Sequence, residues 1–171
     1  MRSALELAEP HFNIVLVRPE IPQNTGSIAR LTAATQVRLH LVGPLGFSLS
    51  DRYLKRAGLD YWPYVDFVTY EGWDEFAATH RAIEPSRFKY FTVHTERVYH
   101  RAEYRRDDFL VFGSETKGLG AAFLEEHRAY AYRIPLFEPG VRSLNLANAV
   151  SIVLYEGLRQ TGQLESESGT G

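Results

Sequence analysis

Apolar residues gather in six short runs along the chain: FNIVLVR (12–18), VRLHLVG (37–43), VDFVTY (65–70), KYFTVH (89–94), FLVFGS (109–114) and AYRIPL (131–136). Most are nearly continuous rather than alternating, the pattern of strands covered on both faces of a sheet. Helical patterns lie between several of them, at 24–36, 73–83 and about 119–127. Strands alternating with helices predict an α/β fold, a mainly parallel sheet flanked by helices. No internal repeat and no interdomain linker interrupts the pattern, so 12–162 is expected to be one domain. It would be preceded by an extension over 1–11 and followed by a small, polar, acidic tail over 163–171 that is expected to be disordered.

The last helical pattern, SLNLANAVSIVLYEGLRQTG, offers Ser143 or Asn145 as its N-cap and Gly162 as its stop. Leu146, Val150, Val153 and Leu154 form one stripe, and Ala149 and Ile152 widen it beyond what one core contact requires. Such a helix is either central to the domain or pressed against a second subunit. A place at the chain terminus favours the second.

Composition narrows the class. Hydrophobic residues at 44% and charged residues at 23% are those of an ordinary globular chain rather than a disordered one. No apolar run approaches the ~20 residues that span a bilayer, and MRSALELAEP lacks the apolar core of a signal peptide. With no cysteine there is no disulfide, thiolate metal site or cysteine nucleophile. These features point to a cytoplasmic protein. A net charge of −2 argues against a grip on nucleic acid through global charge. Two local segments do concentrate positive charge among tyrosines: Arg52, Lys55 and Arg56 in DRYLKR, and Arg97, Arg101, Arg105 and Arg106 in RVYHRAEYRR. Each is either a solvated helix face or a phosphate-contacting surface.

Common catalytic signatures are missing. In GSETKGLG, Leu119 stands after Gly118 where a Walker lysine is required, and no GxGxxG follows the first strand. Ser114 is not in a GxSxG elbow. The six histidines are scattered without an HxxxH pair, so no metal is expected.

Three segments remain, each placed where a parallel strand should end, the side on which open α/β sheets bind ligands. They are NTGSIAR after the first strand, FGSETKGL after a late strand, and IPLFEPGVRSLNLANAVSIVLYE leading into the last helix. Read alone, the first is either an anion-binding turn or an ordinary β–α connection. Together the order N-T-G-x-x-x-R, F-G-x-E-T-K-G-L and R-S-L-N-L-x-N-A-V-x-I-V-L-Y-E resembles the three motifs of the SPOUT 2′-O-methyltransferases. The nearest likeness is to their minimal TrmL, or YibK-like, group, and it extends over about 12–160, including RLHLVGPLGF and LKRAGLDYW.

The resemblance implies a C-terminal trefoil knot, S-adenosylmethionine bound in the knot loops, and a homodimer packed through the first and last helices. It implies a tRNA substrate, methylated on the 2′-hydroxyl of wobble nucleotide 34 (cytidine or a modified uridine) of leucine tRNAs. Relatives acting on ribosomal RNA or the tRNA D-loop generally carry an added N-terminal RNA-binding domain or terminal helical extensions, which are not expected here with about eleven residues before the first strand. By motif, the catalytic candidates are Arg30, Asn24, Glu115, Ser143 and Asn145. The cofactor candidates are Phe91, Thr92, Gly113, Glu115, Ile134, Ser143 and Leu144, with core packing as the alternative for Phe91 and Ile134. RNA contacts would come from Arg18, Arg30, Arg52, Lys55, Arg56, Arg97, Arg101 and Arg142.

An arginine keeps its charge in proteins, so Arg30 is expected to hold the phosphate and hydroxyl and to stabilise a developing alkoxide, a surface salt bridge being the alternative. Asn24 is expected to fix its loop and cap the first helix, and the Asn-Thr-Gly turn to face RNA. Glu115 would either orient substrate or tie the loops together. Ser143 and Asn145 would line the site or cap the last helix. The sequence departs from the group at Ser114 (usually proline), at Lys117 (often arginine), at TVHT over 92–95, and by one added residue within 137–140. The competing readings are the same chemistry at another RNA position, a non-catalytic dimeric RNA-binding module, and a nucleotide-binding protein without an RNA partner.

Overall fold

A computed structural model describes residues 9–58 and 61–165. Six strands form a single sheet: β1 (Asn13–Val17), β2 (Arg38–Val42), β3 (Phe67–Tyr70), β4 (Phe88–Phe91), β5 (Phe109–Phe112) and β6 (Ala131–Tyr132). Their order is β3-β2-β1-β5-β4-β6 and every neighbouring pair is parallel. The helices are α1 (Pro22–Thr35), α2 (Arg52–Gly58), α3 (Trp73–Thr79), α4 (Ala121–His127) and α5 (Leu146–Gln160).

Successive strand side chains point to opposite faces, so the sheet builds two cores. On one face Ile14, Leu16, Leu39, Leu41, Leu110 and Phe112 meet Ile28 and Ala29 of α1 and Val150, Val153, Leu154 and Leu158 of α5. On the other, Val15, Val17, Val42, Phe109 and Val111 meet Phe76 of α3 and Leu124 of α4. Helix α5 crosses Phe12 so closely that a β-carbon at Gly157 would lie 2.9 Å from the ring. The expected stripe of α5 is therefore buried in this chain's own core. Ile152 and Tyr155, which are 36% and 47% exposed, lie outside it.

Polar groups inside the sheet are paired. His40 on β2 bonds Tyr70 Oη through Nδ1 and Asn13 Oδ1 through Nε2, both at 2.9 Å. Burial, with His80 and Arg38 adding to it, holds this imidazole well below its ordinary range, which keeps it neutral. At the amino ends of the strands, Asp108 takes Lys89 Nζ and Arg87 Nε at 2.6 Å each, and Asp66 takes Arg38 Nε at 2.8 Å. Removing one partner of so buried a pair leaves an uncompensated charge, so this edge fastens the fold.

Several elements differ from the sequence expectation. Helix α1 starts at Pro22, not at residue 24, because proline's fixed φ and missing N–H suit the first helical position. Asn24, Thr25 and Gly26 are consequently helical and buried, not an exposed turn. DRYLKR does form a helix, α2, anchored by Leu54. The segment 97–106 does not: it holds only a 3₁₀ turn at Tyr99–Arg101. Its backbone is drawn out to neighbours, Arg133 N–H donating to Arg97 O at 2.7 Å, Tyr99 N–H to Arg133 O at 2.8 Å and Tyr104 N–H to Gln160 Oε1 at 3.2 Å. Strand β6 is only two residues long, since the chain leaves the sheet edge before Pro135. Of the expected tail, Gln163–Glu165 form a 3₁₀ turn. Residues 166–171, like most of the expected N-terminal extension, lie outside the described residues.

Candidate active site

The chain leaves β1 toward β2 on one side and leaves β5 toward β6 on the other. The crevice beyond the carboxyl ends of β1 and β5 is thus the switch point of the sheet, where such folds bind ligands. Three segments meet there through one hydrogen-bonded chain. Glu115, in the loop after β5, accepts from Glu20 N–H at 2.9 Å through Oε1 and from Ile21 N–H at 2.6 Å through Oε2. Asn24 Nδ2 donates to the same Oε2 at 3.3 Å, and Asn145 Nδ2 donates to Asn24 Oδ1 at 3.0 Å. Asn145 Oδ1 in turn caps α5, accepting from Ala147 N–H at 2.9 Å and Asn148 N–H at 3.3 Å.

This settles where two candidates act locally. Asn24 does not cap α1, because it sits within the first turn. Ile21 holds the N-cap position and offers no side-chain acceptor. The carboxylate that takes N–H groups as the chain enters α1 is that of Glu115, and negative charge at a helix start is favourable. Asn145, by contrast, is the N-cap of α5. Beside the relay, Thr116 Oγ1 donates to both Glu20 carboxylate oxygens at 2.7 and 3.0 Å. Hydroxyl hydrogen bonds from Thr116 and Ser114 pull the Glu20 carboxyl below its ordinary range.

The loop after β5 is shaped by close approach. Ser114 and Gly118 exchange backbone hydrogen bonds at 3.2 and 2.9 Å, and a β-carbon on Gly113 would lie 2.1 Å from the Gly118 carbonyl carbon. Gly118 has φ +61, a conformation glycine adopts without a steric penalty. Gly113 is therefore glycine for its own chain's sake.

Of the other cofactor candidates, Phe91 is buried and stacks on Phe112 with centroids 4.9 Å apart. Thr92 N–H donates to Tyr132 O at 2.9 Å. Ile134, Leu136 and Leu144 are half-buried, so apolar surface stays open beside β6 and α5, and Ser143 is exposed. Partly exposed apolar side chains of this kind suit an adenosine, so these loops fit S-adenosylmethionine.

Arg30 is not part of the relay. It projects from α1 on an exposed face shared with Gln23 and Ser27, spaced as one side of a helix. Its guanidinium lies 4.7 Å from the centroid of the Tyr61 ring, and no ion pair to it occurs among the described residues. Gln23, Ser27 and Tyr61 escaped sequence reasoning. The spacing of the two α1 residues from Arg30 was a usable signal, whereas Tyr61 was marked only by its place within LKRAGLDYW.

The basic candidates divide. Arg52, Lys55 and Arg56 are exposed on α2, with Arg52 4.8 Å from the Tyr53 ring centroid. Arg97 donates through Nη1 to the carbonyl oxygens of Arg128 and Ala129, which ties one end of its guanidinium to the fold. With Arg101, Glu96, Val98 and Tyr132 it lines a cavity of about 390 Å³ near the β6 edge. Arg142 is exposed. Arg18 is exposed at φ +53, an uncommon conformation for a non-glycine residue. Among the described residues no cluster of metal-ligating side chains occurs, and no helix is long and apolar enough to cross a membrane.

Known proteins share both sequence and architecture with this chain. A tRNA (cytidine(34)-2′-O)-methyltransferase of Burkholderia ambifaria is 46% identical over 152 residues, covering 88% of this chain and 96% of its own. A solved structure described as "Structural insights into the 2-OH methylation of C/U34 on tRNA" matches with TM-score 0.78 at 43% identity, covering 87% of this chain and 95% of that one. The SpoU methyltransferase AviRb of Streptomyces viridochromogenes, solved with its cofactor AdoMet, matches with TM-score 0.70 at 25% identity, over 90% of this chain and 59% of that one. The SpoU rRNA methylase family matches residues 11–155, nearly the whole of the described fold and all three segments of the site, and the chain belongs to that family.

Proposed function

We propose that this protein methylates the ribose 2′-hydroxyl of nucleotide 34 in a tRNA, with leucine tRNAs as substrates and S-adenosylmethionine as donor. The observation that carries this is the Glu115–Asn24–Asn145 relay. It draws three motif-bearing segments together at the switch point of a chain whose relatives are named for that reaction. The donor supplies an electrophilic methyl group when bound. The half-buried Ile134, Leu136 and Leu144 would hold its adenosine, with the backbone of the loops at Thr92 and Gly113.

The protein's own work is position and charge. Glu115 already accepts hydrogen bonds at both carboxylate oxygens, so it acts as the tie between loops rather than as a proton acceptor. Asn24 passes that tie to Asn145, which fixes the start of α5 and the exposed Ser143 ahead of it. Arg30 carries a charge with no carboxylate partner among the described residues. It holds the phosphate beside the target ribose and stabilises negative charge as the hydroxyl loses its proton. Arg18 and Arg142 lie on the loops after β1 and β6 and extend this positive surface toward RNA, as do the exposed cations of α2.

The same reading includes a trefoil knot in the C-terminal third, a homodimer and a cytoplasmic location. Chain return after β6 to pack α5 against α1 and the 97–106 segment is consistent with the knot. Ile152 and Tyr155 are three residues apart on α5 and uncovered in the single chain, which supports pairing of helices α1 and α5 about a two-fold axis.

The test is transfer of labelled methyl from S-adenosylmethionine to tRNA from cells lacking this activity, with the product nucleotide mapped by mass spectrometry. Expected is 2′-O-methylation at position 34, reduced roughly 100-fold or more in Arg30→Ala. A mark elsewhere overturns the substrate. Donor binding without transfer to any tRNA overturns the reaction.

A further inference from the structure

We infer that Tyr61 is a positioning residue for Arg30, linking the basic helix α2 to the arginine assigned to the reaction; this rests on the function proposed above. Helix α1 turns Ile28 and Ala29 into the core and Arg30 outward. A long side chain there has many rotamers and would ordinarily sample them all. The Tyr61 ring restricts it, with the guanidinium carbon 4.7 Å from the ring centroid, well inside the ~6 Å range of a cation–π contact.

The ring is itself held. Tyr61 O accepts Tyr64 N–H at 2.8 Å, opening the 3₁₀ turn Trp62–Tyr64. Trp62 packs edge-on against Phe67 of β3 with centroids 5.4 Å apart. The platform is thus anchored in the sheet, not borne on a free loop. A tyrosine face also leaves the guanidinium edge and its N–H donors open, whereas a carboxylate in the same place would occupy them. Stacking therefore orients Arg30 without using the donors needed for a phosphate or a ribose oxygen. Three residues before Tyr61 ends α2, with Arg52, Lys55 and Arg56 exposed. Helix α2 also packs along α1, so the cations that would meet RNA phosphates lie beside the helix that carries Arg30.

The experiment compares steady-state methyl transfer to tRNA by wild type, Tyr61→Leu, Tyr61→Phe, Arg30→Ala and the double variant Tyr61→Leu/Arg30→Ala. The Arg30 Nε–Hε resonance is recorded for the variants that keep it. Because a face-on contact is what matters, Tyr61→Leu lowers kcat about 3- to 10-fold with the KM for S-adenosylmethionine unchanged. Tyr61→Phe stays within about twofold of wild type. In the Arg30→Ala background Tyr61→Leu has no further effect, the non-additivity of residues acting as a unit. The Arg30 resonance shows a ring-current shift in wild type and Tyr61→Phe and loses it in Tyr61→Leu.

An additive double variant, a Tyr61→Phe as impaired as Tyr61→Leu, or an unshifted wild-type resonance overturns the inference alone. A wild-type chain that transfers no methyl overturns the methyltransferase reading, and this inference with it.

Discussion

Replacing Glu115 by alanine tests whether that carboxylate ties the site together or takes part in chemistry. The side chain accepts two backbone N–H groups at 2.9 and 2.6 Å and the Asn24 amide at 3.3 Å. A hydrogen bond to a charged acceptor contributes about 1.5–3 kcal/mol when water is excluded. Here the Ile21 contact is exposed, so water can replace part of it, and about 1 kcal/mol for each backbone bond is the better figure. The longer amide contact adds less, and loss of a negative charge at the start of α1 costs about 0.5 kcal/mol more. The total is about 3 kcal/mol, equivalent to a Tm lowered by roughly 6–12 °C in a chain of this size. Glu115→Gln keeps the shape but must present its NH₂ to one of three donors, and should lose more than half as much. Thermal and urea unfolding of both variants measure this. A Glu115→Ala protein within about 0.5 kcal/mol of wild type, yet severely impaired in methyl transfer, would refute the reasoning and return Glu115 to a direct role.

Gly113→Ala would press a β-carbon to 2.1 Å from backbone at Gly118, so the 114–118 turn must open at a cost of about 3 kcal/mol. Urea unfolding that shows a loss under about 1 kcal/mol contradicts the close approach. His40 is kept neutral by burial, with its protonation pushed well below pH 6.5. Below that pH the unfolded chain gains a proton that the folded chain refuses. Its contribution to stability is therefore full above pH 6.5 and falls by up to about 1.4 kcal/mol per pH unit as pH drops. His40→Gln should flatten the slope of urea midpoints between about pH 7 and 5, leaving the smaller shares of His80 and His127, whose burial lowers them likewise; an unchanged slope contradicts the assignment. If the proposed dimer pairs through α5, light scattering should find a dimer for wild type and a monomer for Ile152→Glu with Tyr155→Glu, the single-chain fold being retained since both side chains lie outside the core. A persistent dimer would place the interface elsewhere.

What could be seen in the sequence follows from the range of the forces involved. Helix α5 was legible because its stripe, its Asn145 cap and its Gly162 stop are all local, and burial of Leu146, Val150, Val153 and Leu154 repeats the pattern. The start of α1 was misplaced by two residues even though Pro22 marks a first helical position, because the Asn-Thr-Gly sequence suggests a turn. The competing signal lost because Glu115, from 94 residues away, accepts the N–H of Ile21 where no side chain of α1 does. Spacing by four made 97–106 resemble a helix face, but bonds to Arg133 and Gln160 draw that backbone out.

The site divides along the same line. Glu115, Asn24 and Asn145 are separated by 91 and 121 positions, so no local rule joins them; only the likeness of whole motifs placed them together. That likeness cannot say what each residue touches, and the contacts redistribute the roles. The residue expected to cap α1 became a link in a relay, and the carboxylate left open between two roles became the acceptor at the helix entrance. Arg30 was then separated from its motif neighbour Asn24 by the turn of the helix itself. Six residues along α1 carry it to the exposed face, where its partner is a tyrosine from a different connection. A short motif read as one site thus serves two purposes: its buried side holds the loops together, and its exposed side is the one proposed to meet the substrate.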